Sequence, residues 1–525
     1  MVNTRRPGFR RRVLIVGSSS LILICSALVG GYRTASGAVA PAQNSKNTLT
    51  IGWAIETKTL DPAGNTQNPD IWVQVNMYDH LVKVAPNGKD IVPDLATKWS
   101  MSKNGTVYTF TLRKGIKFQD GSPITAKDVA FCINRARKPA AAWSWTLTAV
   151  KNVVAVNPGT VRIILKHPWA PLLSDVSLFD TGIYPEAFFK KVGPSGMATH
   201  PIGSGPYKFV TWKKGRYILL QKYPGYWNAS KYPMQYVEYE LIPNDNTRLL
   251  QTEAGQLDVD NVLPWNDVAS VQAGGKAKVV INPSTETMYI VPLDTLPQFK
   301  DVHVRQAINH AINRAALVKA VLFGHGTPAN SFMPAGATDW DASLKAPAYN
   351  VALAQKLMKE SKYPHGFTMT MEVPSGDSVS NTIDVILKSE LKPLGITLNL
   401  RQEDQTTLFN NQQKAKYHIT NNLWTNDIPD PDELVSFAVD YNLASSRSFF
   451  TWYDNPTLSK LSVNAEETNN LAKRKADYYK IQQIFMQNVP FFPLFYVPFA
   501  NAVASDVHGF SENRLGYFNL EGVHK

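Results

Sequence analysis

Cysteine is nearly absent: the 525 residues include two, Cys25 and Cys132. That pair builds neither a disulfide framework nor a cysteine-based zinc site, so packing alone must hold the fold. Long uncharged apolar runs are as scarce. Residues 13–32 form one long enough to cross a bilayer. The stretch 481–505 is also uncharged, but Pro490, Pro493 and Pro498, with several Gln and Asn, argue against a spanning helix. A polytopic membrane protein is thereby set aside. Chemistry-bearing motifs are missing too. The ten histidines are scattered, with no H-x-x-x-H or H-E-x-x-H to place two ligands on one helix face. No G-x-S-x-G elbow and no G-x-x-x-x-G-K-[ST] phosphate loop occurs. S-x-x-K at Ser100/Lys103 and Ser389/Lys392 lacks a K-T-G partner. Gly203-Ser204-Gly205 and Gly324-His325-Gly326 are each half of a dinucleotide fingerprint. The expectation is a protein that is not an enzyme, with no cofactor and no metal.

What is present is a globular composition, 44% hydrophobic and 18% charged, which excludes wholesale disorder. The length suggests about three to four domains. Lysine and arginine outnumber acids by 54 to 42, a net charge of +12. Half of that excess lies in residues 1–42, which carry six arginines and no acid. The remainder is spread thinly, without a basic tract interleaved with aromatics, so no nucleic-acid partner is expected.

The N-terminus reads as an export signal. Arg5 to Arg12 are basic, residues 13–32 apolar, and Ala35 to Ala42 small, the order of a cleavable leader. A-x-A matches end at Ala40 and Ala42, and cleavage after Ala42 is favoured because Pro41 sits badly just beyond a cut. An uncleaved anchor and a lipid on Cys25 are the alternatives; Ile24 fits poorly as the residue before a lipidated cysteine. Arg11-Arg12 leaves export by the twin-arginine route open beside the general one. The mature protein is expected outside the cytoplasm, periplasmic or at the cell surface.

Strand and helix signals alternate along the body. Residues 49–55 read as a first strand, followed by a turn at Asp61-Pro62. In 98–118, Asn104-Gly105 signals a type I′ hairpin turn, after which Tyr108, Phe110 and Leu112 alternate with polar residues. Further hairpins are expected at 151–166 and 208–221. Asp301 reads as an N-cap, and Val304, Ala307, Ile308, Ala311, Ile312 and Ala315 follow one helical face. Residues 350–361, 380–394 and 467–488 read as amphipathic helices, and 284–295 and 491–503 as extended apolar strands. The class is α/β or α+β.

Several spaced segments together resemble the family 5 extracellular solute-binding proteins, the oligopeptide- and dipeptide-binding group that feeds ABC importers. They are Leu60-Asp61-Pro62, MYDHLV at 77–82, LATKWSMSKNGTVYTFTLRKGIKFQDGSPITAKDV at 95–129 and PIGSGPYKF at 201–209. DVHVRQAINHAINR at 301–314, the W-x-x-D-x-x-D-P pattern of Trp424, Asp427, Asp430 and Pro431, and YYKIQQIFMQNVPFFPLFY at 478–496 complete the set. The resemblance covers residues 48–515, with departures at Tyr223, Asp294 and Asn313.

It implies an α/β, two-lobed periplasmic-binding-protein fold of class II, in the large three-domain variant with a two-strand hinge. The implied segments are a signal peptide at 1–42, lobe I at 43–85, 200–290 and 500–525, an extra domain at 86–199 and lobe II at 291–499. The implied function is capture of peptides in the interlobe cleft and delivery to ABC transporter permeases, by a monomer that meets the membrane through the transporter or an N-terminal anchor. Other solutes carried in the family, namely nickel chelates, glutathione, oligosaccharides and opines, form the alternative, as does a peptide-binding surface receptor without a transport role. By its place in the motif, Asp427 is the candidate partner of a ligand's α-amine, with a turn-capping role as the alternative; Trp424 is the candidate lining residue. Asp61 and Asp128 read as turn formers, Asp430-Pro431 as a turn, and Arg305 as a member of a structural ion pair. The partner of the ligand's carboxylate is left open, with Lys416 and His418 near the right strand.

Overall fold

The computed structural model describes residues 46–65 and 67–525. The expected leader, its cleavage site and Cys25 lie outside the described residues. Among the described residues, no helix is long and apolar enough to cross a membrane.

Two long strands organise the molecule. Ala277–Pro292 and Phe492–Ala504 pair antiparallel along nearly their whole length. Residues 277–282 and 499–504 lie on the side where Phe492–Ala504 pairs with Val259–Asn261; from there the sheet continues through Thr48–Trp53, Tyr236–Leu241, Tyr217–Lys222 and Tyr207–Lys213. Residues 287–292 pair along their other edge with Ile419–Trp424, and the sheet continues through Thr368–Pro374 and Thr397–Glu403. These two strands therefore carry the chain between two lobes. Their register breaks between Asn282 and Glu286, where an irregularity lets the pair bend. At the break, Ser284 Oγ donates to the Val497 carbonyl and accepts from Glu286 N–H, so side chains replace part of the lost ladder. The strand foreseen at 284–295 starts earlier and includes this bend.

A separate four-stranded antiparallel sheet has the order Ala96–Met101, Val107–Leu112, Thr160–Leu165, Val150–Asn157. Its alternation is the one foreseen: Tyr108, Phe110 and Leu112 face inward and are buried. Each such side chain contributes about 1.5–3 kcal/mol by leaving water. The turn differs from the type I′ expectation. Gly105 N–H donates to the Ser102 carbonyl, and of the turn residues Gly105 adopts positive φ, at 70°, while Asn104 does not. A type I turn closed by a left-handed glycine results, stabilised by Asn104 Oδ1 accepting from Ser102 Oγ. The helix Ala126–Ala136 packs on this sheet behind a capping box in which Thr125 and Asp128 hold each other.

The segment read as one helix over 301–315 is two. Val302–Ala311 ends at Ile312, whose backbone is extended, and Arg314–Val321 begins after Asn313. Asn313 Oδ1 accepts from Ala316 N–H at 3.0 Å, so the Asn that departs from the family pattern still caps a helix. Asp61 is not chiefly a turn former: both its oxygens accept from the Arg135 guanidinium at 2.6 Å. Arg305 donates to the carbonyls of Phe299 and Asn488 rather than to a carboxylate within ion-pair range. Gly203 and Gly205 form no dinucleotide loop; a Cβ on Gly203 would stand 2.1 Å from the Met77 carbonyl oxygen, so glycine is required for backbone to pass backbone.

Candidate functional site

A cavity of about 400 Å³ opens between the loop carrying Trp143 and Trp145 and the face of the second lobe. The loop follows the helix Ala126–Ala136 and is held by Thr146 N–H and Oγ1, both donating to the Trp143 carbonyl. Opposite stand Trp424, Phe437, Phe449 and Phe450. The Trp145 ring lies 5.8 Å from Phe437, which lies 4.6 Å from Trp424. Polar groups at the other wall are Asp377, Ser380, Asn421 and Asn422. Such a site, apolar on one side with few polar groups on the other, suits a small organic ligand with an apolar part.

Backbone strain shapes the aromatic wall. Arg447, Ser448, Phe449 and Phe450 all have positive φ, from 33° to 66°, and Trp452 joins them at 59°. For non-glycine residues this left-handed turn costs about 1–2 kcal/mol per residue. It is offset by burial of Phe449 and Phe450 and by local bonds, Phe449 N–H to the Phe437 carbonyl and Arg447 Nη1 to the Tyr441 carbonyl. Strain of this sort gathers at binding sites.

Trp424 lines this cavity, and its buried Nε1 has no hydrogen-bond partner among the described residues. Asp427 does not line it. It sits in the turn that follows and is 8% exposed. The turn is not capped by its side chain. Glu433 accepts from the N–H groups of Asp427 and Ile428 at 2.9 and 3.0 Å, and Asp430 accepts from Asp432 N–H. Asp430 is also gripped by both terminal nitrogens of Arg474, at 2.6 and 2.7 Å, so it is a turn former and an ion-pair partner at once. The Asp427 carbonyl accepts from the Tyr517 hydroxyl at 2.6 Å, a bond between chain segments 90 residues apart. Ile428 packs against Ile71, Leu178 and Phe179, where the lobes meet.

The electrostatics around Asp427 are lopsided. Burial pushes its carboxyl up to about 7, with a hydrogen bond to the Glu433 carboxyl pulling it back. Glu433 is pushed up by burial and then by the Asp427 charge. Asp180, 2% exposed, has both carboxyl oxygens without a hydrogen-bond partner among the described residues, and it is pushed up by burial, by Asp175 and by Asp427. Ile428 and Glu433 also line a second cavity, of about 90 Å³, that shares Trp145 with the first. So Trp424 lines the first cavity, whereas Asp427 lines neither and touches the second only through its neighbours Ile428 and Glu433. Sequence reasoning missed Trp143, Trp145, Asp180, Glu433 and Tyr517. The two tryptophans in AAAWSW stood in plain view, but a loop offers no periodicity to assign them to a site. Lys416 and His418 line neither cavity, and His418 Nδ1 accepts from Thr370 N–H at 3.2 Å.

Asp427 gives a pH prediction. An acid whose folded pKa is raised from 3.8 to about 7 adds stability that is complete below the lower value and is lost as pH rises through the upper one. A ligand cation beside it favours the carboxylate and should expel the proton. Near pH 6, binding of an amine-bearing ligand is expected to release up to about one proton, and the release should turn into net uptake by about pH 8.5, where the free ligand's own amine has lost its proton. Calorimetry in buffers of different ionisation enthalpy measures it; a heat independent of buffer at pH 6 would refute the contact.

Residues 90–442 match the family described as bacterial extracellular solute-binding proteins, family 5 middle. The chain is 27% identical over 461 residues to the glutathione-binding protein GsiB of Shigella dysenteriae serotype 1 (strain Sd197), covering 86% of this chain and 89% of the relative. It is 28% identical over 505 residues to the protein named probable D,D-dipeptide-binding periplasmic protein DdpA of Escherichia coli (strain K12), covering 93% and 96%. Among solved structures, the periplasmic binding protein DppA of Helicobacter pylori in complex with the peptide STSA superposes with a TM-score of 0.80 at 24% identity, covering 91% of this chain and 98% of that one. That likeness establishes the two-lobed fold.

Proposed function

The chain belongs to the bacterial extracellular solute-binding proteins of family 5, and from that premise we propose that it captures short peptides with a free amino terminus between its lobes and hands them to the permease of an ABC importer. The observation that carries the reading is the buried carboxyl of Asp427, whose own turn is held by other residues. A buried ammonium needs such a partner, because an unpaired buried charge is costly. In this reading Asp427 takes the peptide's α-amine and Trp424 lines the space for its body. Relatives named for glutathione and D,D-dipeptides, and a neighbour holding a peptide, support a peptide-like ligand. No bond is made or broken: the protein works as a monomer that binds, without cofactor or catalysis, after export by its N-terminal leader. The assignment of lobe I to 43–85, 200–290 and 500–525, of the extra domain to 86–199 and of lobe II to 291–499 is part of the same proposal.

The mechanism is a shift between open and closed forms. In this reading the apolar contact of Ile428 with Ile71, Leu178 and Phe179, and the bond from the Tyr517 hydroxyl to the Asp427 carbonyl, are contacts that favour closure. Ligand spanning the cleft favours closure by its preference for that form. Solution scattering should show a smaller radius of gyration with bound peptide. The melting temperature should rise as well, by the equivalent of about 2.7 kcal/mol at a ligand concentration one hundred times Kd. The peptides to use are those identified by mass spectrometry of material co-purifying with residues 43–525. Scattering and melting unchanged across peptides, metal chelates and sugars would sink the binding reading.

A further inference from the structure

Among the described residues, the smaller cavity is lined by five carboxyl side chains, those of Asp175, Asp432, Glu433, Asp440 and Glu466, and by no Lys, Arg or His. At about 90 Å³ it is far larger than the roughly 10–15 Å³ that one water needs. Asp432 is 5% exposed, and its Oδ1 has no hydrogen-bond partner among the described residues. The nearby guanidinium of Arg474 does not serve it: its bonds go to both oxygens of Asp430, to the Tyr478 hydroxyl and to the Ala465 carbonyl. Trp145 and Trp169 add two indole rings to the wall, surfaces that attract cations. The larger cavity shares Trp145 with it and, among the described residues, has Asp377 as its one charged lining residue.

We infer that the smaller cavity is a subsite for a basic side group of the ligand, so that the protein prefers peptides whose first residue carries a primary ammonium or guanidinium and discriminates against acidic ones. The inference rests on the reading that the ligand's amino terminus pairs with Asp427. From there the side chain of the first residue has a short route inward, because Ile428 and Glu433 border both Asp427 and the cavity. The ligand's body lies along the aromatic wall on the near side of Trp145. The basic group brings donors to Asp432 Oδ1 and neutralises carboxyls that otherwise face one another. An acidic first residue would place one more carboxylate among five buried carboxyls with no cation to pair with, and an unpaired buried charge is costly. A metal ion is the poorer occupant, since no three of these groups converge on a metal-sized point among the described residues.

The test compares tripeptides that differ only at the first residue: Lys-Ala-Ala, its neutral near-isostere norleucine-Ala-Ala, and Glu-Ala-Ala. Calorimetry on the wild-type protein is expected to give the lysine peptide an affinity at least about 30-fold above that of the norleucine peptide, with the glutamate peptide weakest. Asp432→Asn should bring the first two within about threefold of each other. A wild-type ratio already within threefold overturns the subsite and leaves the amine reading standing. A ratio that survives Asp432→Asn undiminished also overturns it, by placing the basic group elsewhere. Failure of all three peptides to bind overturns the amine reading and this inference together. Because the wild-type ratio decides alone, a poorly folding variant would not shield the inference.

Discussion

Asp427→Asn is expected to weaken binding of a peptide with a free amino terminus by about 30-fold to several-thousand-fold, the effect of about 2–5 kcal/mol seen when one partner of a buried charge pair is removed. The substitution keeps the shape and loses the charge. The fold should survive it, because the amides of the turn are held by Glu433 and Asp430. Glu433 should lose a neighbour that pushes it up, so the unliganded variant is expected to melt no lower than wild type near pH 8. N-acetylation of the peptide removes the same charge from the other side and should cost about as much. The two changes together should therefore be far less than additive. The measurement is a double-mutant cycle by calorimetry with free and acetylated peptide on both proteins. Independent, additive losses would show that Asp427 does not touch the amine, and a variant that melts well below wild type without ligand would make the residue structural.

What was legible from sequence was set by how local each signal is. Tyr108, Phe110 and Leu112 could be placed because a strand repeats every two residues and the core reads that repeat directly. The break at Ile312 could not, because Ala315 continues the helical phase of Ala311 across it; the decisive fact is that Asn313 turns its side chain to Ala316 N–H instead of letting the first helix run on. The type I′ expectation at Asn104-Gly105 failed for a similar reason: Asn104 accepts from Ser102 and stays out of the left-handed region. At the site, a motif pointed to Trp424 and Asp427, but their surroundings come from distant chain. Tyr517 and Asp180 reach Asp427 only because three segments fold together. Glu433 lies six residues on, yet its role as the acceptor for two amides depends on a turn geometry that composition does not specify. The adjoining cavity has no sequence signature at all, since its carboxyls come from residues 175 to 466.

The second large effect concerns Arg474, the one guanidinium bonded into this acidic region among the described residues. It is buried, grips Asp430 with two bonds, and ties the helix Leu471–Asn488 to the turn that carries Asp427. Arg474→Met removes the cation and keeps much of the apolar stem. Breaking a buried pair from one side leaves an uncompensated charge, so a loss of about 3–5 kcal/mol in stability is expected. Lost packing alone would be insensitive to pH, whereas the electrostatic account is not. Burial is the first cause lifting the carboxyls of Asp175, Asp432 and Glu466, the last to about 7, and Arg474 draws all three back down. Without it they bind protons more tightly in the folded state. A folded pKa raised further above the unfolded value adds stability at low pH that disappears as pH rises. The deficit of the variant should therefore be smaller near pH 5 than near pH 8, as read from urea midpoints at both values. Asp430→Asn combined with Arg474→Met should destabilise by less than the sum of the single changes, because each removes the charge that the other strands. Equal deficits at the two pH values, with additive single losses, would assign Arg474 to packing and leave the acidic cluster without its internal counter-ion.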